Sequence, residues 1–398
     1  MKKKNKLALF TAIFIIIAVV FNGCGYNSGK TGVSINTKNT NKKLITFPSN
    51  SKCYTGRLTS MDKLKWGFID ETGKVVVKPK YDSATNSSEG LAVVELNGKK
   101  GYINSEGTVV IKPQFDDADP FEDGIARVFI NKKCGYIDKT GKFIIRPIYD
   151  LLGKISDGMI SIWINKKYGF ADTTGNIIIK PQFSFASNFN DGLALVRLSD
   201  NDNSWIYINK KGDSAIDKQF LYASDFSENL AIVKIKYGLG FLGLIDTNGN
   251  YIVEPKINSI GLFSNGLADI NIDNQWGFID TKGNIAIKPQ YEYVEPFEDN
   301  LAAVEVNYKF GFINTKGNMI IKPQFYAVYP FEDELKLVQK GNFSNPQYGY
   351  IDNNGNYLLQ PELKYAQSFS NGLALISKDG INFEYINTKG NVVFKLGS

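Results

Sequence analysis

The densest grouping of aromatic and acidic side chains lies in two stretches, QYEYVEPFED at 290–299 and QFYAVYPFED at 324–333. Tyrosine faces stack on sugars and peptides, and carboxylates accept hydrogens from hydroxyls and amines. If the two stretches sit side by side, Tyr291, Tyr293, Glu295, Tyr326 and Tyr329 form one contact surface. The competing reading is a solvated edge with half of its aromatics tucked into a core. Phe297 and Phe331 are set aside, because a phenylalanine recurs in their slot at Phe121, Phe189, Phe226, Phe263 and Phe369 and suits a core plug.

Other chemistry is scarce. The chain has no histidine, which removes Ser-His-Asp and Cys-His catalysis and histidine-ligated zinc or iron. Its cysteines are Cys24, Cys53 and Cys134, too few for a four-cysteine site once Cys24 is used as described below. No phosphate-cradling G-x-x-x-x-G-K-[ST] stretch occurs. No cofactor and no metal are therefore expected. Ser199-Asp200-Asn201-Asp202-Asn203 starts like a calcium loop, but Trp205 and Lys211 stand where glycine and glutamate are needed, so a polar hairpin insertion is expected. A carboxylate-pair glycoside hydrolase stays formally open through Glu298 and Glu332. A basic ladder runs through Lys78, Lys112, Arg146, Lys180, Lys288, Lys322 and Lys395, and pairing with nearby acids is favoured over an anion-binding stripe.

These residues are positioned by a repeat. The segment WGFIDTKGNIAIKPQYEYVEPFEDNLAAVEV, 276–306, recurs along the chain. Its first residue is matched by Trp66, Lys100, Cys134, Tyr168, Trp205, Leu242, Phe310, Tyr348 and Phe383, at spacings of 34–38 residues. Such a period marks a repeat architecture. Each copy holds three short apolar runs rich in β-branched and aromatic residues. Between the first two runs an Asp or Asn is followed three residues later by Gly, as in Asp280 and Gly283. That is the chemistry of a hairpin with a type I turn and a G1 bulge. The second run, for example Ile177-Ile178-Ile179, is continuously apolar, so both of its faces are expected to be covered. A proline then ends it at Pro79, Pro113, Pro147, Pro181, Pro255, Pro289, Pro323 and Pro361. Placing the third run first makes the last copy complete at Leu396 and leaves residues 53–58, beginning at Cys53, as the opening strand of the first. Copies five, six and nine carry extra residues at 198–204, 235–241 and 340–347.

The Trp-Gly pair, the D-x-x-G turn and the K-P-Q-F/Y and G-L-A-x-V segments together resemble the WG repeat family of bacterial proteins, over about residues 53–398. The resemblance implies β-rich, often surface-located modules without a shared activity. Trp fills its slot only at 66, 205 and 276, and Ile206 and Glu384 replace Gly, which makes copies five and ten the most divergent. The expected fold is all-β: a tandem array of about ten three-stranded antiparallel units, open and curved, with a β-propeller as the alternative.

The N-terminus gives an address. Lys2, Lys3, Lys4 and Lys6 precede an apolar run, residues 7–21, and then Asn22-Gly23-Cys24. Fifteen residues suit a signal sequence better than a spanning helix, which needs about 20. Gly23-Cys24 resembles the lipobox of bacterial lipoproteins, with an ordinary secretion signal or an uncleaved anchor as alternatives. Residues 1–23 are read as a lipoprotein signal peptide, 24–50 as a flexible polar tether after lipidated Cys24, and 51–398 as the β-repeat domain. Removing the four lysines takes the net charge from +6 to +2 (42 basic against 40 acidic residues), which argues against a nucleic-acid partner. The expected protein is not an enzyme. It is a lipid-anchored module on the extracytoplasmic face of the cell membrane that binds cell-wall glycan or an envelope or host protein. A purely structural spacer is the alternative. Replacing Cys24 with Ala should move the protein from the membrane fraction to the soluble fraction; an unprocessed protein that stays in the membrane would identify an uncleaved helix.

Overall fold

The computed structural model describes residues 43–49, 64–201, 204–235, 241–332 and 334–397. They form ten antiparallel sheets and no helix. The sheets, called blades 1–10 in chain order, are joined end to end into a ring. Blade 8 is representative. Its strands are Tyr293–Val294, Leu301–Val306, Lys309–Asn314 and Met319–Phe325, hydrogen-bonded in that order. The chain then crosses to the first strand of blade 9, Ala327–Glu332.

The two middle strands are the buried ones. Residues 301–304 and 311–313 are buried throughout, with alternate side chains facing the preceding and the following blade. Ten buried clusters result, and each draws on two consecutive blades. The tenth joins Leu373, Leu375, Phe383 and Tyr385 of blade 10 to Ile45, Phe47 and Ile69 of blade 1. The ring is therefore closed. A tyrosine hydroxyl reinforces several of these interfaces by donating to a carbonyl of the next blade: Tyr102 to Asp119 at 2.7 Å, Tyr350 to Gln367 at 2.6 Å, and across the closure Tyr385 to Thr46 at 2.9 Å.

In the four-stranded blades the first strand, often only two residues long, lies at the inner edge. Its turn touches the same turn of its neighbours: Glu89 accepts from the N–H groups of Asp123 and Gly124, and Asp191 from that of Asn229. Equivalent edges approach one another this closely only near the axis of a ring. The fourth strand is the outer edge, and its opening residues face solvent, with Ile177 46% and Ile178 51% exposed.

The turn chemistry is as expected. Asp280 Oδ1 accepts from the N–H groups of Lys282 and Asn284, and Gly283 takes a φ of 82°. The signature glycine has a second reason. Opposite Gly311 the outer strand bulges, so that Phe310 pairs with Phe325 and Phe312 with Ile321. A Cβ on Gly311 would sit 2.5 Å from the Ile321 carbonyl oxygen and 2.7 Å from the Pro323 nitrogen. Glycine and proline occur together in eight blades, and both are absent from blades 5 and 10. There Ile206 and Glu384 replace the glycine, while Lys218 and Leu396 replace the proline. Blade 5 has three strands among the described residues, ending at Ile206–Ile208, whereas blade 10 keeps a short outer strand, Val392–Lys395, paired without a shift beside Glu384.

Several expectations need correction. The closed propeller, the alternative to an open array, is the arrangement adopted. Eight of the ten units have four strands rather than three, because a two-residue strand such as Tyr293–Val294 leaves no periodicity to read. The opening strand of blade 1 is Leu44–Pro48, inside the segment read as tether, while residues 53–58 lie outside the described residues. LITFP is the one apolar run of that segment and completes the faces of the first sheet. The outer strands are apolar without being covered on both faces. Gly311→Ala should lower stability by roughly 1–3 kcal/mol, the range for overpacking, measured by denaturant unfolding; an unchanged midpoint would remove the steric explanation of the signature glycine.

Candidate functional site

The five residues expected to form one surface occupy blades 7–9, but they do not all point the same way. Tyr291 ends the outer strand of blade 7 (Ile285–Tyr291), is 7% exposed, and packs with Phe278, Val294 and Phe297. It belongs to the core and has no place in a contact surface. It fills the slot of Tyr81 and Phe325, which close the outer strand over the next interface. Tyr329 is tucked beside Tyr348, ring centroids 6.2 Å apart, and its hydroxyl donates to Gln339 Oε1 at 2.9 Å. Tyr326 stands at the start of blade 9, with Phe343 at 5.1 Å and the Lys309 ammonium 5.6 Å from its ring centroid.

Tyr293 and Glu295 do come together. Tyr293 is 40% exposed on the inner strand of blade 8. Its ring lies 5.9 Å from Trp276 of blade 7 and 6.2 Å from Phe310 of its own blade. Burial pushes its pKa up, and the carboxylates of Glu295, Asp269 and Glu305 push in the same direction. The backbone N–H of Glu295 donates to the Ala303 carbonyl at 2.9 Å, setting its side chain on the face towards blade 9. There the positive charge of Lys336 acts on it.

Lys336 does not stand out in the stretches that composition marks. It lies on the second strand of blade 9 (Leu335–Gln339) and is 2% exposed. Its ammonium is 3.7 Å from Glu298 Oε2 and 5.1 Å from the Phe312 ring centroid. Burial lowers the pKa of Lys336, opposed by Glu295, Glu298 and Asp299. Burial raises that of Glu295, opposed by Lys336. A signal is present in the sequence: Lys336 breaks G-L-A-x-V at the position held by Ala92, Ala126, Ala194, Ala231, Ala268, Ala302 and Ala374.

Asp269 escapes the composition-based reading as well. On the second strand of blade 7 (Leu267–Ile272) it is 8% exposed, and its Oδ1 has no hydrogen-bond partner. Burial raises its pKa. Gly261 lies across from it, and a Cβ there would come within 2.5 Å of the Asp269 Cγ.

Elsewhere the expected plugs are core: Phe121, Phe189 and Phe297 are fully buried. So is Cys134, whose thiol burial pushes up to about 11. The basic ladder on the outer strands makes no ion pairs among the described residues. Three of the surface pairs instead tie a lysine at the start of a third strand, or just before it, to an acid ahead of the next inner strand: Lys65–Asp82, Lys99–Asp116 and Lys133–Asp150. Cys24 and the signal-like segment before it lie outside the described residues.

The geometry defines a class, a closed ring of ten small β-sheets built from one repeated unit. The description "WG containing repeat" matches residues 66–99, 101–134, 135–168, 168–201, 205–238, 243–276, 276–310, 310–342 and 348–380, and the chain belongs to that family. Each matched unit begins at a third strand and ends in the next blade, so the sequence repeat and the structural blade are out of phase. No curated protein matches the chain. Among solved structures it is similar to a eukaryotic initiation factor, with 12% identity and a TM-score of 0.47 over 89% of this chain and 96% of that one. It is also similar to BamB from Moraxella catarrhalis, with 12% identity and a TM-score of 0.32 over 62% and 87%. A third is apo AztD from Citrobacter koseri, with 9% identity and a TM-score of 0.34 over 77% and 92%.

The raised pKa of Asp269 has a signed consequence. The native state holds that proton more tightly than the unfolded chain, so its contribution to stability is lost as pH rises from about 4 through the native value. Asp269→Asn should therefore unfold at a higher temperature than wild type at pH 7, with the difference closing near pH 4. A lower melting temperature at pH 7 would show that the carboxylate is stabilised by a partner.

Proposed function

We propose that the ring is a binding platform, held at the extracytoplasmic membrane surface by a lipid on Cys24, whose inner edge at blades 7–9 engages cell-wall glycan or an envelope or host protein. The proposed activity is binding without turnover. The observation that carries the reading is where the repeat breaks its own rules. Tyr293, Glu295 and Glu298 lie on or beside the inner strand of blade 8, and Asp269 and Lys336 face that blade from the second strands of blades 7 and 9, in slots that elsewhere hold mostly apolar or small residues. Buried charges destabilise unless compensated, so packing alone gives no reason to collect them here. Adjacent blades also sum weak contacts into one surface, the usual way repeat proteins bind.

A glycan array, together with binding to purified peptidoglycan and to isolated envelope proteins, tests this. Tyr293→Ala with Glu295→Gln should weaken retention about tenfold, as for loss of a principal contact, with little change in melting temperature. Tyr291→Ala serves as the core control and should cost roughly 3 kcal/mol or more of stability. A wild-type protein that retains nothing would leave the spacer reading, and unchanged retention in the double variant would move the surface elsewhere on the ring.

A further inference from the structure

Blades 5 and 8 share an aromatic arrangement, with opposite charge beside it. In blade 5 the inner-strand ring is Phe185, 5.9 Å from Tyr168 of blade 4 and 5.2 Å from Trp205 of its own blade. In blade 8 it is Tyr293, between Trp276 and Phe310. Directly across the sheet from the central ring stands Arg197 in blade 5 and Glu305 in blade 8. The Arg197 guanidinium lies over the Trp205 ring, 5.0 Å from its centroid, and its buried Nε has no hydrogen-bond partner. Aromatic faces attract a cation through their quadrupole, most strongly where water is excluded. In blade 5 the protein supplies that cation itself.

At blades 7–8 the cation is replaced by an acid. Glu305 makes no ion pair among the described residues. Asp269 of blade 7 is buried with an unpartnered Oδ1, and with Glu305 it adds to the burial that pushes the Tyr293 pKa up. The inner-edge row to which Asp269 belongs shows what such a charge requires. In blade 3 the equivalent pair is Asp119 and Arg127, joined at 2.8 Å. In blade 8 the acids are Glu295 and Glu298, and the Lys336 ammonium of blade 9 lies 3.7 Å from Glu298 and offsets the charge of Glu295. For Asp269 the facing residue of blade 8 is Ala302, and the cross-strand residue is Gly261, whose missing side chain leaves the carboxylate its room.

We propose that the inner edge of blade 8 binds an organic cation, a guanidinium or alkylammonium group, on the Tyr293 ring where Trp276 and Phe310 flank it, with Glu305 on the side of blade 9 and Asp269 on the side of blade 7 as counter-charges. This site rests on the binding-platform reading and names the chemistry of its ligand. A lysine or arginine side chain on a protein and a free amine present the same group.

The test is calorimetric titration of the purified chain with four probes. These are Nα-acetyl-arginine methylamide, its trimethyllysine counterpart, the neutral citrulline counterpart, and a short peptide carrying one arginine. Both cations should bind about tenfold or more tighter than citrulline, the scale of a desolvated cation–π contact. Asp269→Asn and Glu305→Gln should each weaken them, with the melting temperature unchanged or raised. Glu305→Arg should block them by supplying the cation in place, as Arg197 does. Tighter binding of the peptide than of the arginine derivative assigns a protein-borne cation, and equal binding a free amine. Equal affinity for citrulline, or wild-type affinity in Asp269→Asn and Glu305→Arg together, overturns the proposal. If the probes fail while glycan or protein is still retained in the wider screen, the charge assignment falls and the platform stands. If the wider screen is blank while the cations bind, the cation site stands and the glycan or protein assignment falls.

Discussion

Everything in this molecule follows from sheets that are apolar on both faces. In each blade the second and third strands send alternate side chains forward and back, so neither face can be left to water. A single unit of three or four strands can bury one of those faces against one neighbour, and a second neighbour must cover the other. A linear array always ends with two faces uncovered. Here Leu373, Leu375 and Tyr385 at one end and Ile45, Phe47 and Ile69 at the other are ordinary interior residues with no polar substitutions to cap them. They cover each other, and the array becomes a ring. The hydrogen bond from the Tyr385 hydroxyl to the Thr46 carbonyl repeats at the closure the contact that Tyr102 and Tyr350 make inside the ring.

That dependence explains which positions tolerate change. The signature glycine and the proline answer one local demand, an outer-strand bulge pressed against the third strand. Where Glu384 takes the glycine position the outer strand stays and pairs without the shift, and where Ile206 takes it the outer strand is absent among the described residues. The ring survives because the lost strand is the one that contributes least to the faces. The second and third strands of that blade still supply Leu195 and Tyr207 to one interface and Ala194 and Val196 to the other. The Trp position tolerates Lys100 and Cys134 for a related reason. It lies near the rim of each interface, where Lys100 can reach Asp117 in water and Cys134 can pack as a small apolar group.

Much of this is legible in the sequence, and the failures have physical causes. The turn at Asp280 and Gly283 is readable because its chemistry is local. The plug at Phe297 is readable because a large apolar residue recurring in a connector has few other uses. The inner strand is invisible because two residues cannot show an alternation. Leu44–Pro48 is hidden because a five-residue apolar run following polar sequence looks like a tether until its partner Trp66–Asp70 is known. Tyr291 misleads for the opposite reason. Composition marks its stretch as polar and aromatic, whereas its last position on a strand turns it inward. Tyr293, two residues on and across a change of blade, turns out.

The same logic separates fold from function among the charged residues. The surface pairs, such as Lys99–Asp116, recur from blade to blade and stand in solvent, where they add little. Asp269, Glu295 and Lys336 do not recur. Lys336 stands where seven other blades hold alanine, and Asp269 where most blades hold an apolar residue, so those interfaces gain nothing in packing from them. Alanine at 336 would restore the pattern of seven other blades. A repeat protein holds its ring together with what its copies share, so what it recognises has to be encoded in what they do not share. In this chain one group of those differences, Asp269, Tyr293, Glu295 and Lys336, lies on the adjoining blades 7–9, while Asp119 with Arg127 and Arg197 mark others in blades 3 and 5.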